Sequence, residues 1–428
     1  MVAPAWAGRN RLLLFLVIAV FYGGIAVVWA AFPAAYDRFL SAYNILPVHT
    51  KEAGPHAVPF FDLEGVISWS ECARQGHNVY VDNPCDPAPY HRPANYSPLL
   101  VDLPLQWIGV RNAVAAGLVS DLVFLLLLSF LFRPRNTSEL VIAALACCSH
   151  ATFYAVERTN IDVIVFSAIV LAIFVSQRSL RGRMWLYAVA LGGALAKFYP
   201  LVLGAFALRE RPRVLAAIVV VFAAAMGVFV WHYAPQMAIV THKIPAYHYF
   251  SDMFGAGALP LMFHRMFGMP DWAVRVTKLA FEAGLVVFAF RYSGKFARIV
   301  PWGRREMLLL LAGALIMVGC FVLQVNNSYR AIFLMLAIPG LLRLSGRSDL
   351  ARWGVWGALI CLWAEVIRNT LSKLHILPLS WSLTVLRECV WWYVVAVLAA
   401  IILAFVRERL ARVEMNSRRP ADPVSMVP

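Results

Sequence analysis

Five short polar stretches interrupt an otherwise apolar chain: Asp62-Leu63-Glu64, Arg92 to Tyr96, Glu157-Arg158-Thr159-Asn160-Ile161-Asp162, Lys197-Phe198-Tyr199-Pro200 and Asn326-Asn327-Ser328-Tyr329-Arg330. They hold the residue types that proton transfer and anion binding require. Asp62 follows Pro59-Phe60-Phe61 and opens a short amphipathic helix running through Trp69. A carboxylate at a helix N-terminus is kept ionised by the macrodipole, which suits a general base. The same position also suits a plain N-cap. Glu64 is a rival for the role of base and a candidate substrate contact. Arg158, Lys197 and Arg330 can grip phosphate oxygens, arginine as a planar fork and lysine as a point charge. Snorkelling or ion pairing, for example of Arg158 with Glu157 or Asp162, is the alternative. Asn95, Asn160, Asn326 and Asn327 can bind sugar hydroxyls or satisfy broken backbone, and Asp162 belongs with this polar set. Tyr96, Tyr199 and Tyr329, with Tyr80 and Trp69, offer stacking faces, although interfacial aromatics are general in membrane proteins.

The elements that must carry these residues are membrane spans. The 428 residues are 61% hydrophobic and 14% charged, against about 45–50% and about 25% in soluble proteins. Runs such as Leu12–Phe32 and Ala113–Phe132 reach the about 20 residues that a hydrocarbon core requires. An ionisable group near the bilayer centre costs about 2.5–3.5 kcal/mol even on a lenient scale, so embedded charges mark function. The net charge of +15 does not point to nucleic acid. Its arginines lie in short loops: Arg9 and Arg11; Arg133 and Arg135; Arg178 to Arg183; Arg209 to Arg213; Arg291 to Arg305; Arg343 to Arg352; Arg407 to Arg412. The positive-inside rule places these loops in the cytoplasm. All five polar stretches then fall at the opposite, outer end of the spans. The first apolar run is too long for a signal peptide and lacks a small-residue cleavage site, so it reads as a retained span.

The expected architecture is all-α, a polytopic bundle of about eleven to twelve passes or half-passes in one domain, 1–410, with both termini inside. Loops 33–97 and 233–273 lie outside, 371–388 likewise, and a disordered tail covers 411–428. Met184–Leu208 has both ends at arginine loops yet is too short to cross twice at full length. Two short helices meeting at Lys197-Phe198-Tyr199-Pro200 resolve this, because broken backbone is tolerated where it lines a cavity. Residues 97–110, broken by Asp102 and Pro104, read as an interfacial helix.

Of seven cysteines, Cys72 and Cys85 alone fall in the outer loop, where an oxidising compartment permits a disulfide; two free thiols are the alternative. The histidines are too scattered for a zinc site. No P-loop, dinucleotide fingerprint, H-E-x-x-H or G-x-S-x-G occurs. Without a nucleotide-binding domain, a lipid-borne donor fits better than a cytosolic nucleotide-sugar.

In order and spacing over residues 1 to about 345, the chain resembles the GT-C integral-membrane glycosyltransferases. Among them it is most similar to glycosyltransferase family 87, the polyprenol-phosphate-mannose-dependent mannosyltransferases. The matching stretches are Asp62-Leu63-Glu64 with Gly76-His77-Asn78-Val79-Tyr80, then Asn95-Tyr96-Ser97-Pro98-Leu99, and Arg158-Thr159-Asn160-Ile161-Asp162. Lys197-Phe198-Tyr199-Pro200 and Asn326-Asn327-Ser328-Tyr329-Arg330 complete the series. Thr159, where the family often has Gly, and the insert Asp82-Asn83-Pro84-Cys85-Asp86-Pro87 depart from the pattern. The resemblance implies an inverting transferase at the outer face of a bacterial inner membrane with no essential metal; no cofactor is expected, and the chain is expected to act as a monomer. Asp62 would be the base and Lys197, Arg330 and Arg158 the donor-phosphate ligands. The donor would be a polyprenyl-phosphate sugar, mannose or a related one, and the acceptor a glycolipid or polysaccharide hydroxyl. A lipid-linked oligosaccharide polymerase or ligase, and a lipid or sugar flippase, are the rival readings.

Overall fold

The computed structural model describes residues 4–49, 56–89, 91–177, 179–243, 252–323, 325–373 and 377–417. It is helical almost throughout. The N-terminal span α1 (Pro4–Ala31) stops before Pro33, which opens α2 (Pro33–Ala42). The outer loop then carries α3 (Phe61–Arg74) and the single-turn α4 (Pro98–Asp102). Two 3₁₀ turns, Leu105–Trp107 and Val110–Asn112, lead into α5 (Ala113–Leu131), so the expected interfacial helix is in fact three short pieces broken at Pro104 and Gly109. Next come α6 (Thr137–Cys147), α7 (His150–Arg158), α8 (Ile161–Ser176) and α9 (Leu180–Lys197), followed by the 3₁₀ helix Tyr199–Arg209. The chain continues through α10 (Pro212–His232), α11 (Ala234–Lys243), α12 (Ala258–Phe267), α13 (Asp271–Ile299) and α14 (Arg305–Leu323). It ends with α15 (Leu334–Leu344), α16 (Asp349–Lys373) and α17 (Leu377–Ser417).

Among the described residues six helices are long and apolar enough to cross a membrane, or seven if α6 and α7, bent by 41° at Cys148-Ser149, count as one broken span. This is an all-α polytopic helical protein. The expected eleven or twelve passes or half-passes included short and broken pieces, and shorter apolar helices, Ile161–Ser176 and Tyr199–Arg209, stand beside the full-length spans. The Met184–Leu208 region holds one of these. Phe198 sits at φ 59° and ψ −49°, which ends α9, and the return leg is 3₁₀ rather than α. At 2.0 Å per residue a 3₁₀ helix gains more length than the 1.5 Å of an α-helix, so eleven residues reach about 22 Å. The tail differs too: α17 runs to Ser417, past the point where a polar tail was expected, and 418–428 lie outside the described residues.

The centre of the bundle is α14, buried on every side from Met307 to Met317, as befits a helix apolar all round. It packs on α15 and α17. Close approach to α15 requires glycine: a Cβ on Gly340 would lie 2.7 Å from the Glu306 carbonyl, and one on Gly313 2.9 Å from that of Phe333. Small residues at such crossings are what membrane helices use to bring backbones together. At one end of the bundle the arginine loops meet. Asn10 donates to the Pro134 carbonyl, Arg305 to that of Phe130, and Arg11 lies over the Phe130 ring. The polar stretches gather at the other end.

If the arginine end is cytoplasmic, exposed Ser41 and Thr241 face outward. Single cysteines placed there in a Cys389→Ser background should react with a membrane-impermeant maleimide in intact cells. Reaction only after lysis would invert the topology.

Candidate functional site

Asp62 is brought to the other polar stretches by the fit of α3. Phe60 adopts a left-handed conformation, φ 69°, just before the helix, and its N–H donates 2.6 Å to the Glu157 carbonyl at the end of α7. A second anchor is Arg92, whose guanidinium makes paired bonds of 2.8 Å to both oxygens of buried Asp86. It also donates to the Phe61 carbonyl at 2.9 Å and lies 3.3 Å over the Phe61 ring. A Cβ on Gly65 would stand only 3.2 Å from that guanidinium carbon, so the first turn of α3 is held from below. The Cys72–Cys85 disulfide, Cα–Cα 5.5 Å, ties α3 to the residue just before Asp86.

Removing this brace by Cys72→Ser/Cys85→Ser should release about 3 kcal/mol of loop entropy on the chain-entropy model. Local opening should therefore be about a hundredfold more frequent, and trypsin should nick the protein faster after exposed Arg74. Unchanged nicking would mean that the Arg92–Asp86 pair alone holds the loop.

Asn160 is the hub. Thr159 takes the left-handed conformation that ends α7, φ 39°, and Asn160 then caps α8 by accepting from the Asp162 N–H at 3.1 Å. Its amide nitrogen donates to Asp62 Oδ2 at 2.5 Å and to the Tyr96 hydroxyl at 2.9 Å. Its carbonyl accepts from Lys197 Nζ at 2.5 Å. Asp162, fully buried, accepts from Lys197 Nζ and the Tyr199 hydroxyl at 2.8 Å and from Arg330 Nε at 3.2 Å. Arg330 Nη1 donates 2.6 Å to Asn326, whose own amide reaches the Cys320 carbonyl at 2.7 Å. Lys197 also lies 4.3 Å from the Tyr96 ring centre and Arg330 5.1 Å from that of Tyr199. Burial, then the neighbouring Tyr329 and Asp62, raise the Tyr96 phenol well above its ordinary value, so it stays protonated. Two cations face one carboxylate in the Asp162 triad, leaving one unit of positive charge beside the Asp62 carboxylate.

Seven of the sequence-selected residues thus form one bonded cluster: Asp62, Tyr96, Asn160, Asp162, Lys197, Tyr199 and Arg330. Asn326 joins through Arg330, and Asn327 with Tyr329 lies next to it, their side chains 3.3 Å apart. The turn they occupy is pinned by a two-residue antiparallel pair, β1 (Met253–Phe254) with β2 (Asn326–Asn327). Arg158 stands apart. It is ion-paired with Glu157 at 3.0 Å, donates 2.7 Å to the Leu46 carbonyl, and lies between the Phe61 and Tyr154 rings. Glu64, two positions from Asp62, faces another side of α3 and is buried. Asn95 is half-buried and has no hydrogen bond to the cluster among the described residues.

The sequence alone does not single out Asp121: on α5 it is buried with both oxygens 3.1 Å from the Thr159 hydroxyl, and an acid inside an apolar run is the available signal. Glu157, the expected alternative partner of Arg158, is 2% exposed. Behind β1, buried Glu365 joins Arg387 and Arg368. Arg368 and Asn44 in turn hold Asp252 at 2.5 and 2.7 Å. No three His, Cys, Asp or Glu side chains meet in a metal-ligand arrangement among the described residues.

Neither a family model, nor a curated protein, nor a solved structure matches the chain.

Proposed function

We propose that the chain is a membrane glycosyltransferase of the GT-C kind. It would transfer a sugar from a polyprenyl-phosphate donor to a hydroxyl of a glycolipid or polysaccharide at the outer face of a bacterial inner membrane. The observation that carries this reading is the pairing, through Asn160, of an outer-end carboxylate with the Asp162–Lys197–Arg330 triad and its surplus positive charge. Asp62 serves as the base that takes the acceptor hydroxyl proton as the oxygen attacks the anomeric carbon. The sugar–phosphate bond breaks on the opposite side of the ring, and configuration inverts. Lys197 and Arg330 hold the departing phosphate, whose added charge their surplus unit offsets, in a setting where low dielectric strengthens the attraction. Asn160 orients Asp62 and keeps it apart from Lys197. Retention would require a second carboxylate as nucleophile; Asp162, tied to two cations and a tyrosine, is committed elsewhere.

Arg158, expected to share the phosphate, is already occupied by Glu157 and the Leu46 carbonyl, and its role is to position the start of α3. The donor is the discriminating test against the polymerase or ligase reading. Purified protein should use a polyprenyl monophosphate sugar and ignore a diphosphate-linked oligosaccharide. Transfer of a whole oligosaccharide from the diphosphate carrier would overturn the assignment.

A further inference from the structure

Between α1, α5 and α7 runs an open groove of about 380 Å³ that the cluster does not use. Its floor is a face of small residues on α1, Ala19, Gly23 and Ala26, and its wall includes Leu122 and Leu125 of α5. It extends from Phe15 to Trp29, about 21 Å along a helix rising 1.5 Å per residue. That exceeds the roughly 15 Å of hydrocarbon in one leaflet, so a lipid chain fits along it. Nothing lies within 4 Å of a Cβ built on Gly23.

The outer end of the groove is not apolar. Asp121 and Glu157 line it, beneath Pro59 and Phe60 at the start of α3. Glu157 is 2% exposed, and neither of its carboxylate oxygens has a hydrogen-bond partner. Its one ion-pair partner, Arg158, approaches a single oxygen and turns its guanidinium toward Phe61 and Tyr154 instead of the groove. A buried acceptor left without a donor costs about 1–3 kcal/mol, more when charged. The groove therefore supplies a place for an apolar chain and, at its outer end, lone pairs awaiting a proton donor. An ionised phosphate head, rich in acceptors and poor in donors, would leave those lone pairs unmet.

We propose that this groove seats a lipid with an uncharged, hydroxyl-bearing head, its chain along Ala19, Gly23 and Ala26 and its hydroxyl donating to Glu157. On the transferase reading this lipid is the acceptor, reaching Asp62 from beneath α3 while the phosphate-bearing donor enters by the Lys197–Arg330 side. The lipid binding itself does not depend on that reading.

The test uses full-length protein in phosphatidylcholine nanodiscs with two photoactivatable probes of identical chains, diacylglycerol and phosphatidate. Diacylglycerol should label α1 and α5 peptides at least tenfold more than phosphatidate. Gly23→Leu should reduce that labelling at least tenfold, whereas Gly24→Leu, one position round the helix and also unobstructed, should not. Both substitutions raise helix propensity, so neither is expected to unfold α1. Glu157→Gln should narrow the preference between the two heads. Equal labelling by both probes would mean bulk lipid only, and preferential phosphatidate labelling would make this the donor's path; either overturns the proposal. Head-selective labelling by a protein with no transferase activity sinks the transferase reading alone, and transfer with unselective labelling sinks the groove alone.

Discussion

Replacing Asp62 by asparagine should slow sugar transfer by about 10²- to 10⁴-fold, the usual contribution of a positioned general base. The substitution is nearly isosteric. The new side-chain amide can still offer an oxygen to the Asn160 amide that now lies 2.5 Å from Asp62 Oδ2, so geometry is retained and only basicity is lost. Stability should change little, because the missing charge interacts with the α3 N-terminus for about 0.3–1 kcal/mol. The measurement is single-turnover transfer at saturating acceptor, with thermal unfolding in detergent as the control. A variant that transfers normally would remove Asp62 from the chemistry and direct attention to Glu64.

The Asp162 triad yields the largest stability effect, and its sign follows from charge counting. Asp162→Asn leaves Lys197 and Arg330 buried together with no carboxylate bonded to either, the Asp62 charge being held off by Asn160, and breaking a buried pair in this way costs about 3–5 kcal/mol. Lys197→Met leaves the Arg330–Asp162 pair balanced, so it should fold markedly better than Asp162→Asn. The Asp162→Asn/Lys197→Met double variant should recover part of the loss, a coupling that a double-mutant cycle reads directly. Function should rank differently. Lys197→Met removes the surplus positive charge and one charge-assisted bond of about 1.5–3 kcal/mol, so its donor use should fall about 10- to 150-fold although the protein is stable. If Asp162→Asn proves as stable as Lys197→Met, the charge account of the cluster is wrong. If Lys197→Met folds and uses donor normally, the phosphate is held elsewhere.

Much of this site was legible because membranes make polarity expensive. In a chain so apolar, Asp62, Asn160-Ile161-Asp162, Lys197 and Arg330 stand out by type alone, and the arginine loops place them at a common end. The break at Phe198-Tyr199-Pro200 could likewise be inferred, since two arginine loops 25 residues apart leave no other route. What the sequence did not show is which polar residue bonds which. Pairing of Arg158 with Glu157 was one of its two open readings and is the one realised, whereas nothing in the sequence joins Lys197 to Asn160 and Asp162. That difference depends on the left-handed Thr159, which turns neighbouring residues to opposite sides. Asp121 and Glu365 stand as single acids within hydrophobic runs. Thr159 and Arg387, which they bond, lie on other elements, and periodicity within one helix carries no record of such pairs. The short return leg after Lys197 was also legible, but not its form: Tyr199–Arg209 covers its distance in fewer residues as a 3₁₀ helix.

On the proposed function, this cluster moves a sugar from a lipid monophosphate under the action of Asp62. Purified wild-type protein and Asp62→Asn, given a synthetic polyprenyl-phosphate mannose and a membrane extract as acceptor, would be compared by the mass of the lipid products. The wild type should form a product heavier by one hexose, and the variant almost none. A wild-type protein that leaves the donor intact, or a variant that forms the product at the same rate, would contradict it.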